Sequence, residues 1–322
     1  MLKIIKSGMQ TTVQDLGRYG FQKYGVIASG VMDPFAHRIA NLLAGNEENA
    51  ATLEITLVGP VIQFSEDTCI ALCGGNLSPK INDQEVGMWR TIAVQKGDTL
   101  TFGSPRNGCR SYLAVSGGLA VPEVMSTRST YLRAGIGGFQ GRALKAGDEI
   151  GLNPFPVDRT AALIREMDWL VPPLHYSDSP VIRMMEGRQF HLFNEFSKQH
   201  IFTEPFSVSS HSDRMGYRLE GSPLLLEKSS EMISEAVAFG SIQVPSDGNP
   251  IVLLADRQTT GGYPKIGQIA SVDLPLISQL KPGDQLSFRK ISLEESQALY
   301  IGQEQQIQQI KAGIQLKREE WK

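Results

Sequence analysis

Apolar runs of strand length recur along the chain, each cut short by glycine, proline or a polar cluster; Ile251–Ala255 is one of them. One unit appears three times: Lys96-Gly97-Asp98-Thr99-Leu100-Thr101-Phe102, Ala146-Gly147-Asp148-Glu149-Ile150-Gly151-Leu152, and Pro282-Gly283-Asp284-Gln285-Leu286-Ser287-Phe288. Each reads as a Gly-Asp turn feeding a strand in which apolar and other residues alternate. Glycine tolerates positive φ at such a turn, and aspartate bonds its own backbone there. Period-two alternation between turn signals predicts a mainly β protein with a few short helices.

Two helices stand out against this texture. Asp33-Pro34 reads as an N-cap followed by proline at the first helical position. Ala36, Ile39, Ala40 and Leu43 then line one face, and Gly45 supplies a C-terminal stop. A second helix is predicted from about Phe190 to Gln199. Residues 303–322 are polar with sparse isoleucines, a surface helix or a frayed tail. The second Gly-Asp unit closes a first half, and a polar stretch then runs to Val171-Pro172-Pro173. The expected organisation is a first domain over 1–155, a linker over 156–180, a second domain over 181–292 opening on the strand Val181–Met185, and a C-terminal polar segment over 293–322. A length of 322 residues fits two cores better than one.

Composition narrows the function. Hydrophobic residues make up 41% and charged residues 20%, which is globular. A net charge of −3 leaves no basic excess for a phosphate backbone, so no nucleic-acid partner is expected. The N-terminus MLKIIKSGMQTTVQD lacks an apolar core of leader length, and no run approaches a membrane span. A soluble, cytoplasmic protein is expected. Cys69 and Cys73, four apart in an apolar run, read as small core residues on one strand face; Cys109 is the third cysteine. The five histidines lack HExxH or HxH spacing, so no metal site is expected.

Four stretches carry more polar and glycine content than a plain barrel needs: Thr11–Gly20, Gly25–Asp33, Ser212–Gly221 and Asp256–Ile269, the last preceded by Gly240–Pro245. Gly261-Gly262-Tyr263-Pro264-Lys265 is no phosphate loop, because its lysine and glycines are in the wrong order and a strand follows. Gly135–Gly141 likewise lacks a strand–helix context. Ser29 and Ser116 are not in GxSxG, and no histidine is tied to them. Glu54, Asp256, Asp273 and Glu235 are candidate carboxylates beside apolar strand residues. Asp256, closing Ile251–Ala255, suits a tuned general base; capping the next turn explains its position equally well. Arg214 and Arg218 suit bidentate recognition of carboxylate or phosphoryl groups, or form a surface ion-pair cluster.

At these stretches the chain resembles the allophanate-hydrolase-subunit-2 family, also called biotin-dependent carboxyltransferase-like or KipA-like. The motifs are TTVQDLGR (Thr11–Arg18), SGVMD (Ser29–Asp33), ANLLAGN (Ala40–Asn46), LEITLVGP (Leu53–Pro60), YLAVSGG (Tyr112–Gly118), TRST (Thr127–Thr130), SDRMGYRLEG (Ser212–Gly221), GSIQVP (Gly240–Pro245) and DRQTTGGYPKIG (Asp256–Gly267). They run in order along nearly the whole chain. At Met125-Ser126 this sequence departs from the glycine and serine more usual in the family. The resemblance implies two cyclophilin-like β-barrel domains whose motifs meet at one cleft.

It also implies one component of an ATP-dependent 5-oxoprolinase, an amidohydrolase complex with A and B subunits that opens the lactam 5-oxoproline to glutamate. No cofactor is then expected on this chain, and ATP is used at a partner protein. Two other activities follow from the same resemblance. One is biotin-dependent carboxyl transfer to a urea- or amide-like substrate, with biotin on another chain, since Met184-Met185 has no adjacent lysine. The other is regulatory binding that antagonises a histidine-kinase inhibitor. The site expected from the resemblance joins Ser29, Asp33 and Asn41 with Arg214, Tyr217, Arg218, Gln243, Asp256, Gln258, Thr260, Tyr263 and Lys265. Arg214, Arg218 and Lys265 would stabilise negative charge, Asp256 would act as base or position water, and Gln243, Gln258 and Tyr263 would orient the amide.

Overall fold

A computed structural model describes residues 1–154, 170–228 and 232–319. Residues 155–169, which include most of the expected linker, and residues 320–322 of the tail lie outside the described residues. The chain divides into two compact units. The first holds Met1–Arg18, Asp33–His175 and Gln305–Lys322; the second holds Tyr19–Met32 and Tyr176–Glu304. This division is not sequential. A short excursion, 19–32, belongs with the second unit, and the last helix contributes to both.

The first unit contains two antiparallel sheets. The six-stranded sheet runs in the order Glu149–Ile150, Leu2–Lys6, Val61–Phe64, Thr99–Thr101, Lys80–Ile81, Gln84–Glu85. The five-stranded sheet runs Gln10–Gln14, Thr52–Thr56, Asn107–Val115, Thr68–Asn76, Thr91–Val94. Alternation sets the faces: in Leu2–Lys6, Leu2 and Ile4 are buried while Lys3 and Ile5 face out. They join Leu53, Ile55, Phe64, Leu72, Leu100 and Leu113 in one core. Thr68–Asn76 is buried on nearly every residue, because helix α1 (Pro34–Ala44) packs against it. Cys69 and Cys73 are buried there, and neither is in a disulfide.

The second unit is a closed seven-stranded barrel. Its order is Val181–Glu186, Lys265–Ile269, Ser241–Gln243, Ile251–Leu253, Gly216–Glu220, Phe206–Val208, Gln285–Lys290. Val181–Glu186 and Gln285–Lys290 close it in parallel, Ile182 opposite Phe288; the other pairs are antiparallel. Closure leaves the barrel without a free edge. Ile182, Met184, Leu219, Ile242, Val252, Ile266 and Phe288 fill it, joined by Met32 from the excursion.

The three Gly-Asp units are turns of one design. Gly97, Gly147 and Gly283 have φ of 95°, 91° and 90°. In each, the aspartate carboxylate accepts from the backbone N–H three residues earlier: Gln95 to Asp98 at 2.8 Å, Lys145 to Asp148 at 2.7 Å, Lys281 to Asp284 at 3.0 Å.

Helix α1 also matches its reading: Asp33 accepts from the Ala36 N–H at 2.9 Å, and Gly45 ends the helix at φ 81°. The second expected helix is shifted. Phe190–Leu192 forms a 3-10 turn, and helix α2 (Glu195–Thr203) starts only after Asn194, whose side chain caps the Ser197 N–H at 2.8 Å. A short helix α3 covers Leu274–Ser278. The C-terminal segment is helix α4 (Leu293–Glu319). It begins before residue 303 because Ser292 and Glu295 form a reciprocal capping box, Glu295 N–H to Ser292 Oγ at 3.1 Å and Ser292 N–H to Glu295 Oε2 at 2.7 Å.

Candidate functional site

The motifs of the first unit hold the fold. Asp15, in TTVQD, is buried. Its carboxylate accepts from the Thr127 hydroxyl, from the Ser129 hydroxyl at 2.5 Å, from the Gly17 N–H at 2.9 Å and from the Arg128 N–H at 2.6 Å. TTVQD and TRST are thus the two sides of one latch. Arg18, fully buried, donates to the carbonyls of Val124 and Ser129 at 3.3 and 3.1 Å. The glycine run 135–141 is packed against this latch: a Cβ on Gly137 would overlap the Ser129 carbonyl oxygen, and one on Gly138 the Thr130 hydroxyl.

Asp33 and Asn41 belong to this interior. Both are fully buried. Asp33 caps α1, while its own N–H donates to the Tyr112 hydroxyl at 2.8 Å, and that hydroxyl donates to Glu54 at 2.9 Å. Asn41 donates to the Ala50 carbonyl at 2.7 Å and accepts from Asn46 at 3.2 Å, which closes the loop after α1. His37, one turn earlier, sits with Nδ1 2.9 Å from Thr52 Oγ1 and Nε2 3.4 Å from the Asn41 amide nitrogen. Burial pushes its pKa down to about 4. Asp33 and Asn41, expected at the substrate site, have polar groups engaged in hydrogen bonds inside the fold.

The second unit gathers a different cluster. Ser29, Arg214 and Asp256 are each nine-tenths or more buried. Ser29 Oγ donates to Asp256 Oδ1 at 2.6 Å. Arg214 grips the same carboxylate, Nε to Oδ2 at 2.9 Å and Nη2 to Oδ1 at 3.2 Å, and Nη2 also donates to the Gly30 carbonyl at 2.5 Å. Local structure explains the placement. Asp256 follows the barrel strand Ile251–Leu253, and its N–H bonds the Arg214 carbonyl at 2.8 Å. Ser29 has φ 55° and Gly30 φ 99°. A non-glycine residue in the left-handed region is sparsely populated and clusters at functional sites.

The rest of the Asp256–Ile269 stretch forms a rim. Gln258 and Thr260 are exposed, and Thr260–Gly261 pairs with Glu235–Ala236 as a two-stranded ribbon. Tyr263 is half exposed at the turn tip. Gln243 is buried and donates to the Tyr263 carbonyl at 3.2 Å, so it supports the turn from beneath. Lys265 donates to Glu235 at 2.9 Å and to the Ala236 carbonyl at 3.2 Å. That lysine contact holds the Glu235 carboxyl below its ordinary range. Lys265 is therefore an ion-paired anchor of the ribbon. Tyr217, expected among the substrate-binding residues, points into the barrel core and donates to the Leu280 carbonyl at 2.9 Å. Arg218, next along the strand, faces out and is exposed. Among the described residues no cluster of histidine, cysteine or carboxylate side chains could hold a metal ion.

Residues 24–290 match the carboxyltransferase domain, subdomain A and B, and the chain belongs to that family. Among individual proteins, it is 41% identical to the C subunit of 5-oxoprolinase from Escherichia coli (strain K12) over 307 residues, covering 95% of this chain and 96% of that one. It is 36% identical to the corresponding 5-oxoprolinase C subunit of Haemophilus influenzae over 311 residues, covering 97% of this chain and 98% of that one. The K. lactis urea amidolyase structure superposes with a TM-score of 0.87 at 30% identity, over 96% of this chain. This chain spans 20% of that larger one.

Proposed function

We propose that this chain is the C subunit of an ATP-dependent 5-oxoprolinase, acting in the cytoplasm with the A and B subunits to convert 5-oxo-L-proline to L-glutamate. The observation that carries this reading is the 41% identity to a protein of that name, spanning nearly the full length of both chains. In the complex, the γ-phosphoryl group of ATP, bound at a partner protein, goes to the lactam oxygen. Water adds to the activated carbon, the ring C–N bond breaks as the nitrogen takes up a proton, and a second water cleaves the resulting acyl phosphate to the glutamate carboxylate and phosphate, ADP remaining at the partner. The buried cluster fits the amide end of such a substrate. Asp256 fixes Ser29 and Arg214, and the buried guanidinium supplies positive charge where negative charge develops on the lactam oxygen. Gln258, Thr260, Tyr263 and Arg218 form the accessible rim.

The test is reconstitution of the purified chain with the A and B subunits. Glutamate release and 5-oxoproline-dependent ATP cleavage should require all three, and Asp256→Asn should lower them about a hundredfold or more, the scale of losing preorganised electrostatics. An unchanged rate when this chain is left out overturns the proposal.

The likeness to urea amidolyase favours a second reading, carboxyl transfer from carboxybiotin to an amide-type nitrogen. Avidin-sensitive incorporation of labelled bicarbonate into a urea- or lactam-type acceptor would support it over hydrolysis.

A further inference from the structure

Most cations brought together in the second unit already have anions. Asp256 holds Arg214 at 2.9 Å, Glu235 holds Lys265 at 2.9 Å, and Asp273 holds Arg183 at 2.5 Å. Arg257 is different. Its side chain is half-buried and lies over the Phe239 ring, 5.7 Å from the centroid. Its only hydrogen bonds among the described residues are long ones to carbonyls, Nε to Val237 at 3.5 Å and Nη1 to Leu254 at 3.2 Å. Nη2 makes none, and no carboxylate among the described residues lies within ion-pairing distance. Burial pushes its pKa down, as expected for a cation withdrawn from water without a directly bound counter-ion among the described residues.

An arginine held this way keeps Nη2 without a protein partner among the described residues, while its orientation is set by the ring and the two carbonyls. A carboxylate matches the planar guanidinium fork in shape and charge. The neighbouring residue is Asp256, so the fork belongs to the same loop as the Ser29–Arg214 cluster. We propose that Arg257 is a substrate-binding residue that takes the carboxylate of the ligand whose amide faces that cluster. On the 5-oxoprolinase reading, on which this inference rests, that group is the ring carboxylate of 5-oxo-L-proline.

The experiment uses the assembled three-protein complex with wild-type, Arg257→Gln and Arg257→Lys chains. Turnover and saturation-transfer NMR are recorded with 5-oxo-L-proline and with 2-pyrrolidinone, the same lactam without the carboxylate. The KM for 5-oxo-L-proline should rise roughly 10- to 100-fold in Arg257→Gln, the range for losing a charge-assisted hydrogen bond. The value for kcat should move far less, and Arg257→Lys should fall between. Weak binding of 2-pyrrolidinone should be unchanged in all three, a readout that mere loosening of the Phe239 contact would disturb. Equal KM and equal 5-oxo-L-proline binding in wild type and Arg257→Gln overturns the carboxylate site, with the functional reading intact. Absence of glutamate release from the wild-type complex overturns the functional reading, and the NMR arm still decides whether Arg257 reads the carboxylate.

Discussion

His37 makes the stability of the first unit depend on mild acid, and the size of the effect follows from its surroundings. The ring is fully buried against Thr52 and Asn41, and its pKa falls from 6.5 to about 4. The folded pKa lies below the unfolded one. Between the two values the unfolded chain binds a proton that the folded chain refuses, so stability is complete above about pH 6.5 and declines as pH drops toward 4. The full difference of about 2.5 units corresponds to about 3 kcal/mol, of which about 2 kcal/mol is lost by about pH 5. Urea unfolding at about pH 7.5 and about pH 5 measures it, followed by tryptophan fluorescence. Trp89 is buried beside Phe35 of α1, at 6.2 Å between ring centroids, and reports on the helix that carries His37. In His37→Gln the acid-induced loss should be smaller than in wild type by about 2 kcal/mol. Equal losses in the two proteins would refute the assignment, and so would a His37 ring that titrates near its ordinary value by NMR.

Other substitutions separate fold from site. Arg214→Ala leaves the Asp256 carboxylate buried without its cation and should cost about 3–5 kcal/mol by chemical denaturation, while Arg214→Met combined with Asp256→Leu should recover most of it. Tyr217→Phe removes one hydrogen bond to the Leu280 carbonyl; it should cost about 1 kcal/mol and leave 5-oxoproline turnover unchanged, whereas a loss of turnover at full stability would return Tyr217 to the site. Gly137→Ala combines φ 70° with overlap on the Ser129 carbonyl and should cost about 2–4 kcal/mol in thermal unfolding.

Features held by neighbours in sequence were legible. The three Gly-Asp turns close through a bond from a backbone N–H three residues before the aspartate, one position ahead of each repeated unit, so the interaction is local in sequence. The same holds for the Asp33 cap and Gly45 stop of α1. Ser292 and Glu295 were equally readable as a capping box, and that signal marks the true start of α4. The excursion of 19–32 into the second unit was not legible, because Met32 joins a core whose other members all lie beyond residue 181. The candidate site divides the same way. The resemblance put Asp33, Asn41 and Tyr217 in one expected site with Ser29, Arg214 and Asp256. All six are buried, and what separates them is their partners: the Ser29–Asp256 bond spans 227 positions. Arg257 carries no signal of its own inside DRQTTGGYPKIG, because its distinguishing property is the lack of an ion-paired carboxylate among the described residues, which only the placement of the other ion pairs makes visible.

Dense motifs therefore carry two different meanings in this chain. Around Asp15 the carboxylate is met by two hydroxyls and two backbone N–H groups. Removing it would strand those donors in the interior, so stability alone explains the motif. Arg214 and Asp256 admit no such account. A buried ion pair returns little net stability, since desolvation offsets its attraction, and an apolar pair of similar volume folds as well or better. The second unit nevertheless holds a full charge pair, a serine in the left-handed region bonded to it, and, on the same loop, an arginine whose Nη2 has no protein partner among the described residues. Each of the three is neutral or unfavourable for folding, and all lie in or beside SGVMD, SDRMGYRLEG and DRQTTGGYPKIG. Folding alone does not account for the Arg214–Asp256 pair, whereas it does account for the Asp15 latch of the first unit.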